Sequence, residues 1–259
     1  MNDTTPHTLA VRYLGGPTAL LEIGGLRLLT DPTFDPPGAY PIGDRELRKT
    51  MPSPVAPEDL GPVDAVLLSH DQHPDNLDRG GRAYVAAAPL TLSTAAAAGR
   101  LGGSVRALPT WETYDLHRPD GGTLRVTAVP ALHGPPGCEP AVGEVTGFVL
   151  SGAGLPTTYV SGDNASLDHV REIAARLAPF DTALLFAGAA RTPLVDANLT
   201  LTGEEAAEAA RILAPRHIVP LHFEGWAHFS ESRDALAAAL APIADRVALL
   251  EPGASVRFR

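Results

Sequence analysis

Several features that are scarce in this 259-residue sequence exclude whole classes of protein. There is a single cysteine, Cys138, so a disulfide-stabilised scaffold is excluded. No run of about 18 apolar residues occurs, and we therefore expect no membrane-spanning helix. The first residues lack the basic and apolar segments of a secretion signal, so we expect a cytoplasmic protein.

Positive charge is also scarce. The chain has 20 Lys and Arg against 30 Asp and Glu, a formal net charge of -10, and Lys49 is its one lysine. The acidic residues are scattered along the chain, which argues against a surface that tracks nucleic-acid phosphates. No GxGxxG or GxxxxGK[ST] pattern supports a nucleotide cofactor. We expect a small-molecule substrate as the partner, and the sequence leaves both a monomer and a homo-oligomer open.

Glycine and proline divide the chain into short apolar runs. The runs at 9–14, 18–23 and 26–30 predict a β-meander, and the continuous run 63–69 is typical of a strand buried on both faces. The remaining predicted strands are 84–89, 104–108, 111–116, 123–130, 146–151, 157–161, 182–186 and 217–221, with a terminal pair at 247–250 and 255–258. Predicted helices are 93–100, 167–177, 204–213 and 232–240.

Two stretches bear on the overall organisation. The proline-rich residues 33–62 show little periodicity and predict a long loop over one end of a sheet. Strand runs in both halves of the chain are followed by helices, and no linker-like stretch separates the halves. We therefore expect one domain over residues 1–259, of α/β class, built from two packed β-rich halves.

Metal-ligating residue types follow four of the predicted strands. They are His70, Asp71, His73, Asp75, Asn76 and Asp78 after the first, and His133, Asp163 and His222 after the others. A lone histidine after a strand is more often a structural hydrogen-bonding group than a ligand, but four such strand ends make coincidence much less common. Imidazole and carboxylate together suit Zn, Fe or Mn better than Ca or Mg.

Two further side chains invite a functional role. His228 lies beyond His222 in the aromatic segment 223–229, which also holds Trp226, and we expect both His228 and Trp226 to contact substrate. Cys138 follows His133 closely, but no cysteine-enzyme motif surrounds it, and we expect an inert buried thiol.

The chain resembles the metallo-β-lactamase superfamily, and within it the ascorbate-6-phosphate lactonase-like and N-acyl-phosphatidylethanolamine phospholipase D-like hydrolases. The segments that carry the resemblance are YLGGPTALLEIGGLRLLTDPTF (13–34), SHDQHPDNLD (69–78), PALHGPPG (130–137), VSGDN (160–164), FAGAA (186–190) and PLHFEGWAH (220–228). They cover nearly the whole chain. The resemblance implies a four-layer αββα sandwich with a metal centre at one edge.

The family signature, Ser/Thr-His-x-His-x-Asp-His, is altered in this sequence. One residue is inserted, so the second histidine place falls on Gln72 when counted from Ser69 and on His73 when counted back from Asp78. Asn76 takes the place of the last histidine. Carried over, the resemblance implies a first metal site of His70, His73 and His133 and a second of Asp75, Asp163 and His222, with Asp163 shared.

Asparagine is a weak, neutral donor, so we expect one tightly bound ion and a second that is weak or favours Mn or Fe. Asp71 joins the ligands if the insertion turns it inward, and otherwise borders the substrate. Zinc is the first expectation for the divalent metal, with manganese or iron as alternatives. Asn76 is also expected to contact substrate.

The expected activity is hydrolysis of a small ester, lactone or phosphodiester. A bound metal lowers the pKa of its water towards ~7, which makes hydroxide available, and it polarises the bond to be broken. Asp75 would orient that water and carry its proton to the leaving group. Residues 33–62 and 223–229 would form the substrate walls.

Two other functions stay open from the sequence. The altered signature is also compatible with a non-hydrolytic or Fe-dependent redox enzyme of secondary metabolism on the same fold. A third hypothesis is a degenerate, metal-free protein that holds a ligand or partner.

Overall fold

The computed structural model describes residues 8–259, and every structural statement below concerns that part of the chain. The strands are β1 (Leu9–Gly15), β2 (Thr18–Ile23), β3 (Leu26–Thr30), β4 (Gly38–Ile42), β5 (Arg45–Lys49), β6 (Ala65–Leu67), β7 (Thr91–Ser93), β8 (Val105–Ala107), β9 (Thr113–His117), β10 (Thr123–Pro130), β11 (Thr146–Ser151), β12 (Thr158–Val160), β13 (Thr182–Phe186), β14 (Arg191–Thr192), β15 (Val195–Asn198), β16 (His217–Leu221) and β17 (Ser255–Phe258). The helices are α1 (Pro57–Leu60), α2 (Arg79–Ala87), α3 (Ala95–Leu101), α4 (Glu139–Val142), α5 (Leu167–Leu177), α6 (Gly203–Leu213) and α7 (Arg233–Leu240), which continues into a 3-10 segment, Ala241–Arg246.

These strands form two large sheets and two hairpins. The first sheet has the order β17-β1-β2-β3-β6-β7-β8 and the second β16-β13-β12-β11-β10-β9. Strands β3, β6, β7 and β8 run parallel, as do β12, β13 and β16, while the other pairs are antiparallel. Hairpins β4-β5 and β14-β15 stand apart from both sheets.

The first sheet is covered on both faces. In β6, Ala65 and Leu67 join the core between the two sheets, whereas Val66 and the next residue after the strand, Leu68, pack with Val85 of α2 on the opposite face. This alternation follows from the two-residue period of a strand, and it explains why residues 63–69 read as a continuous apolar run. Helices α2 and α3 therefore lie outside the first sheet.

Helices α5, α6 and α7 cover the second sheet. Val170 and Ile173 of α5 and Leu236 of α7 are fully buried in the core that also contains β10 and β13 side chains. The order of layers is helix, sheet, sheet, helix, so the expected αββα sandwich is confirmed. None of the helices in residues 8–259 is both long and apolar enough to cross a membrane.

Local signals place several helices well. The predicted helix 167–177 coincides with α5, and Thr202 and Glu205 form a complete capping box at the start of α6. Helix α7 begins after Ser232, whose side chain accepts a hydrogen bond from the backbone of Ala235 at 3.2 Å. The cap of α3 is Thr94, whose side chain accepts a hydrogen bond from Ala97 N at 3.1 Å, so the helix predicted at 93–100 begins two residues later, at Ala95.

The predicted strand at 84–89 is wrong, because these residues lie mostly within α2. Asp78 caps the start of the helix, and its carboxylate accepts a hydrogen bond from Gly81 N at 2.8 Å. The helix ends where Ala88 N donates to Tyr84 O at 2.9 Å. A short apolar run does not by itself distinguish a buried strand from a buried helix.

Two more expectations need correction. Residues 33–62 are not a plain loop, because they contain hairpin β4-β5 and helix α1. The terminal pair at 247–250 and 255–258 does not form: Val247 makes only an isolated bridge to Ile218, and β17 pairs with β1 instead. Pairing with β1 gives β17 a continuous antiparallel partner at the edge of the first sheet.

Candidate metal centre

The strand ends of both sheets meet at one edge of the sandwich. His70 follows β6, His133 follows β10, Asp163 follows β12 and His222 follows β16, and all four side chains are buried. They converge because β6 ends at this edge in the first sheet while β10, β12 and β16 end there in the second. His222 also has a left-handed φ of 57°, and its backbone N–H donates to Gly16 O at 2.7 Å. The sheets thus fix the position of each side chain.

Three histidine nitrogens face one another at this edge. His73 Nδ1 lies 3.0 Å from His70 Nε2 and 3.1 Å from His133 Nε2. The outer nitrogen of His133, Nδ1, lies 2.9 Å from Leu199 O, a carbonyl that only accepts, so Nδ1 carries the proton and Nε2 has a lone pair. Whether His70 Nε2 also has a lone pair depends on the hydrogen-bond partner of the other ring nitrogen, His70 Nδ1.

His70 has the same tautomer. Asp31 Oδ1 accepts hydrogen bonds from Ser69 N at 2.8 Å and from Ser69 Oγ at 2.7 Å. Since the Ser69 hydroxyl donates to Asp31, it accepts from His70 Nδ1, which lies 3.0 Å away. The lone pair of His70 Nε2 therefore points at the other two histidines. Converging lone pairs repel each other unless a cation lies between them, so the donor set fits a metal ion.

A second group of ligand atoms adjoins the first. Asp75 Oδ2 lies 3.1 Å from His222 Nε2, and Asp163 Oδ1 lies 3.6 Å from His222 Nδ1. Asp163 also reaches the first group, because its Oδ2 lies 3.7 Å from His133 Nε2. The ligand atoms in each group, His70, His73, His133 and Asp163 in one and Asp75, Asp163 and His222 in the other, all lie within 4.8 Å of one another.

Several buried atoms of the second group have no hydrogen-bond partner. They are Asp75 Oδ1, Asp163 Oδ2 and His222 Nδ1. Buried polar atoms are rarely left unpaired in folded proteins, and a bound cation is one of the usual reasons. The three atoms would be available to hold a cation, and Asp163 belongs to both groups of candidate ligands.

His70 and Asp75 have the protonation states that metal ligands need. Burial, followed by the nearby His73 and His133, holds the pKa of His70 well below its usual value, so the ring is neutral. Burial raises the pKa of Asp75, but His228 and His222 outweigh it and hold that pKa well below its usual value. Asp75 is therefore a carboxylate. Metal binding requires these forms, neutral imidazole and ionised carboxyl.

The remaining carboxyls of the cluster have raised pKa values. Burial raises the pKa of Asp163 well above its usual value, and the charges of Asp75 and Asp31 raise it further. Burial likewise raises the pKa of Asp31 to about 8. Excess negative charge at one buried point destabilises the ionised forms, and a divalent cation would reverse that effect.

The structure shows which side chains around the insertion in the signature reach the cluster. His73 joins the histidine cluster, whereas the amide of Gln72 packs against Gly143, where an added Cβ would lie 2.2 Å from Gln72 Nε2. Asp71 lies outside the cluster, because Arg100 Nε donates to its Oδ2 at 2.9 Å and Arg82 lies nearby. Asp71 is paired with these two arginines and does not line the cleft, so it has neither the ligand position nor the substrate border expected from the sequence.

Asn76 and His228 each contact a carboxylate of the cluster. Asn76 is fully buried and does not line the cleft, contrary to the substrate contact expected for it, whereas His228 does line the cleft. Asn76 Nδ2 donates to Asp163 Oδ1 at 2.9 Å, so this residue orients a carboxylate from the place of the missing histidine. His228 Nε2 lies 3.0 Å from Asp75 Oδ2, on the cleft side of the cluster. Trp226 is buried beneath hairpin β4-β5, edge-on to Tyr40 with ring centroids 5.6 Å apart, rather than lining the cleft above the cluster.

The cleft over the cluster lies between the two hairpins and α4. Its floor is formed by His73, Asp75, His133 and His228, and much of its wall is apolar, with Ile42, Leu47, Val142 and Leu199. Arg45 and Thr192 line the same cleft, although neither was predicted from the sequence as a site residue. A signal for Arg45 was present: Gly43-Asp44 between two short runs is typical of a two-residue hairpin turn.

Comparison with known proteins finds a matching family model and similar relatives. The model described as "Beta-lactamase superfamily domain" matches residues 26–223. A UPF0173 metal-dependent hydrolase of Pyrococcus furiosus is 26% identical over 249 residues, which are 96% of this chain and 99% of the relative.

Two solved structures share the fold. An isothiocyanate hydrolase from Delia radicum gut bacteria superposes with a TM-score of 0.79 at 22% identity, covering 96% of this chain and 99% of that chain. Igni18, a metallo hydrolase of Ignicoccus hospitalis, superposes with a TM-score of 0.72 at 21% identity, covering 97% and 99%. At such identities the likeness concerns the fold alone.

Proposed function

Since the chain belongs to the beta-lactamase superfamily and is a metal-dependent hydrolase, we propose that it splits small esters, lactones or phosphodiesters at the buried cluster. His70, His73 and His133 with Asp163 would hold one divalent ion, and Asp75, Asp163 and His222 a second. The observation that carries this proposal is the convergence of His70 Nε2 and His133 Nε2 on His73 Nδ1 within 3.1 Å.

Zinc is the ion we propose for the first group. Three neutral imidazoles and a carboxylate suit zinc well, and two carboxylates with one imidazole in the second group suit manganese or iron equally. A divalent metal held there would polarise the bond to be broken and lower the pKa of water towards ~7. Asn76 supplies no nitrogen to the second group, so we propose that this group binds its ion more weakly.

Asp75 is the proposed catalytic base. It is ionised, its Oδ2 is held by His222 Nε2 at 3.1 Å and His228 Nε2 at 3.0 Å, and its Oδ1 is unpartnered. A carboxylate fixed in this way can accept a proton from the attacking water and pass it to the leaving group. His228, on the cleft side, orients Asp75 and contacts the substrate. The apolar walls exclude bulk water from the reacting bond.

The variant Asp75→Asn tests this role. It keeps the shape of the side chain and the first group of ligands, so we expect retained zinc and hydrolysis reduced by about 10²- to 10⁴-fold. Zinc content is measured by inductively coupled plasma mass spectrometry, and turnover with a panel of 4-nitrophenyl esters, lactones and bis(4-nitrophenyl) phosphate.

Asp115→Asn is the matched control. Asp115 is an exposed aspartate on β9 that pairs with Arg125 at 2.8 Å and does not line the cleft, so its loss should leave both zinc and turnover unchanged. Unchanged turnover in Asp75→Asn would refute the catalytic role. If a His133→Ala variant retains its full zinc content, the proposed metal centre itself is refuted.

A further inference from the structure

One arginine faces the cleft from hairpin β4-β5. Along β5, Arg45, Leu47 and Lys49 are partly or fully buried, whereas Glu46 and Arg48 are exposed. Side chains alternate between the two faces of a strand, so Arg45 shares the inward face with Leu47, which lines the cleft. A charged residue close to a hairpin turn normally points to water, and here the strand period directs it over the cluster.

The position of Arg45 is held from the other side of the cleft. Its Nη1 donates to Thr192 Oγ1 of β14 at 2.8 Å, which joins the two hairpins. Arg45 lines the same cleft as His73, Asp75, His133 and His228.

Arg45 has no acidic partner. Among residues 8–259, no salt bridge includes it, although the chain has 30 Asp and Glu against 20 Lys and Arg. The other arginine of the cleft, Arg191, is paired with Asp196 Oδ1 at 3.0 Å. A guanidinium has five N–H donors, and within residues 8–259 the bond to Thr192 is the only hydrogen bond that the Arg45 guanidinium donates. The rest remain available to a ligand in the cleft.

We propose that Arg45 binds an anionic group of the substrate, a carboxylate or a phosphate, while the bond to be broken lies at the cluster. Guanidinium pairs with both anions through two parallel hydrogen bonds. The apolar wall of Ile42, Leu47 and Val142 would contact the rest of the molecule. The substrate class is then a small, apolar-bodied ester, lactone or phosphodiester that carries a negative charge. This inference rests on the proposed hydrolase function.

Binding of paired hydroxamates tests the proposal without turnover. Each pair has one alkyl hydroxamate and its analogue with a terminal carboxylate, in a series of increasing chain length, titrated calorimetrically into the zinc-loaded protein. The hydroxamate group anchors to zinc in both members, so the difference in affinity reports the terminal charge. A third series with a terminal phosphonate distinguishes carboxylate from phosphate recognition.

We expect the terminal anion to raise affinity about 10- to 100-fold at the chain length that reaches Arg45. Arg45→Gln should abolish this gain and leave the affinity of the alkyl hydroxamate within about twofold, and Arg45→Lys should keep part of it because the charge remains. The control Arg48→Gln removes an exposed arginine of the same strand, paired with Glu46 at 3.3 Å, and should change neither affinity.

Each outcome bears on the proposal. A gain that survives Arg45→Gln, or equal binding of charged and uncharged members by the unaltered protein, overturns the role of Arg45 and leaves the metal centre standing. Failure of the zinc-loaded protein to bind any hydroxamate overturns the metal centre and the role of Arg45 together. A gain for carboxylate alone, or for phosphonate alone, supports the proposal and names the anion.

Discussion

Replacing Ser69 with alanine tests whether the histidine cluster depends on the hydrogen bonds behind it. Ser69 is fully buried, donates to Asp31 Oδ1 at 2.7 Å and accepts from His70 Nδ1 at 3.0 Å. The variant Ser69→Ala leaves the buried N–H of His70 without an acceptor. An unsatisfied buried donor costs about 1–3 kcal/mol of folding free energy.

The same change should weaken metal binding. The Ser69 hydroxyl sets the tautomer and the ring orientation of His70, and losing such a partner typically costs about 10- to 100-fold in metal affinity. For a chain of this size, each kcal/mol lost lowers Tm by roughly 2–4 °C. We expect Ser69→Ala to show both effects, measured by zinc competition against a fluorescent chelator and by thermal melting of the metal-free protein.

Ser93→Ala is the matched control. Ser93 is also a fully buried serine, at the end of the neighbouring parallel strand β7, but its hydroxyl has no hydrogen-bond partner. Its removal should leave zinc affinity unchanged and stability unchanged or slightly improved. Ser69→Thr keeps the hydroxyl and should restore most of the zinc affinity. The reasoning is refuted if Ser69→Ala binds zinc as tightly as Ser93→Ala does.

Three other predictions concern pH, packing and metal removal. Burial lowers the pKa of His133 from 6.5 to about 3. Between these pH values the unfolded chain binds a proton at this histidine and the folded chain does not. The unfolding free energy of metal-free protein should therefore fall as pH decreases from about 6.5 towards about 3. Urea titrations across that range check this, and a His133→Gln variant should show a shallower fall. In Gly81→Ala, the new Cβ would lie 1.8 Å from Pro32 O, so we expect the unfolding free energy from urea titration to fall by about 1–3 kcal/mol. In Gly99→Ala on helix α3, the new Cβ would have no atom within 4 Å, and the unfolding free energy should rise by about 0.5–1 kcal/mol. Equal effects of the two glycine variants would contradict the packing argument. Zinc at about 100 times its Kd should raise the unfolding free energy by about 2.7 kcal/mol over chelated protein, and the absence of any shift in Tm would count against a metal centre.

Helices and strands with strong local signals could be predicted from the sequence. The amphipathic period of α5 and the buried apolar run of β13 lead to bounds that agree with the structure, because these patterns depend on neighbouring residues only. The strand predicted at 84–89 was wrong, because the cap at Asp78 starts a helix that includes most of these residues. The prediction also failed at 33–62, where the turn at Gly43-Asp44 produces a hairpin.

The site could be predicted as a set of residues but not as a geometry. The order of His70, His133, Asp163 and His222 after strands is visible in the sequence. Whether Gln72 or His73 reaches the cluster is not, because the answer depends on the packing of Gln72 against Gly143, which is distant in the chain. The same holds for Asp71, which two arginines of α2 and α3 turn away from the cleft.

The sequence by itself determined most of the strands and helices and the types of side chain available for metal chemistry, since these follow from local periodicity and motif order. The resemblance of its motifs to a known family implied the αββα layers. Only the tertiary structure decided which atoms meet. It set the tautomer of His70 through Ser69 and Asp31, and it placed the unpaired Arg45 over the cluster by joining two hairpins. Distances between side chains on different strands arise from sheet packing, and no local pattern encodes them.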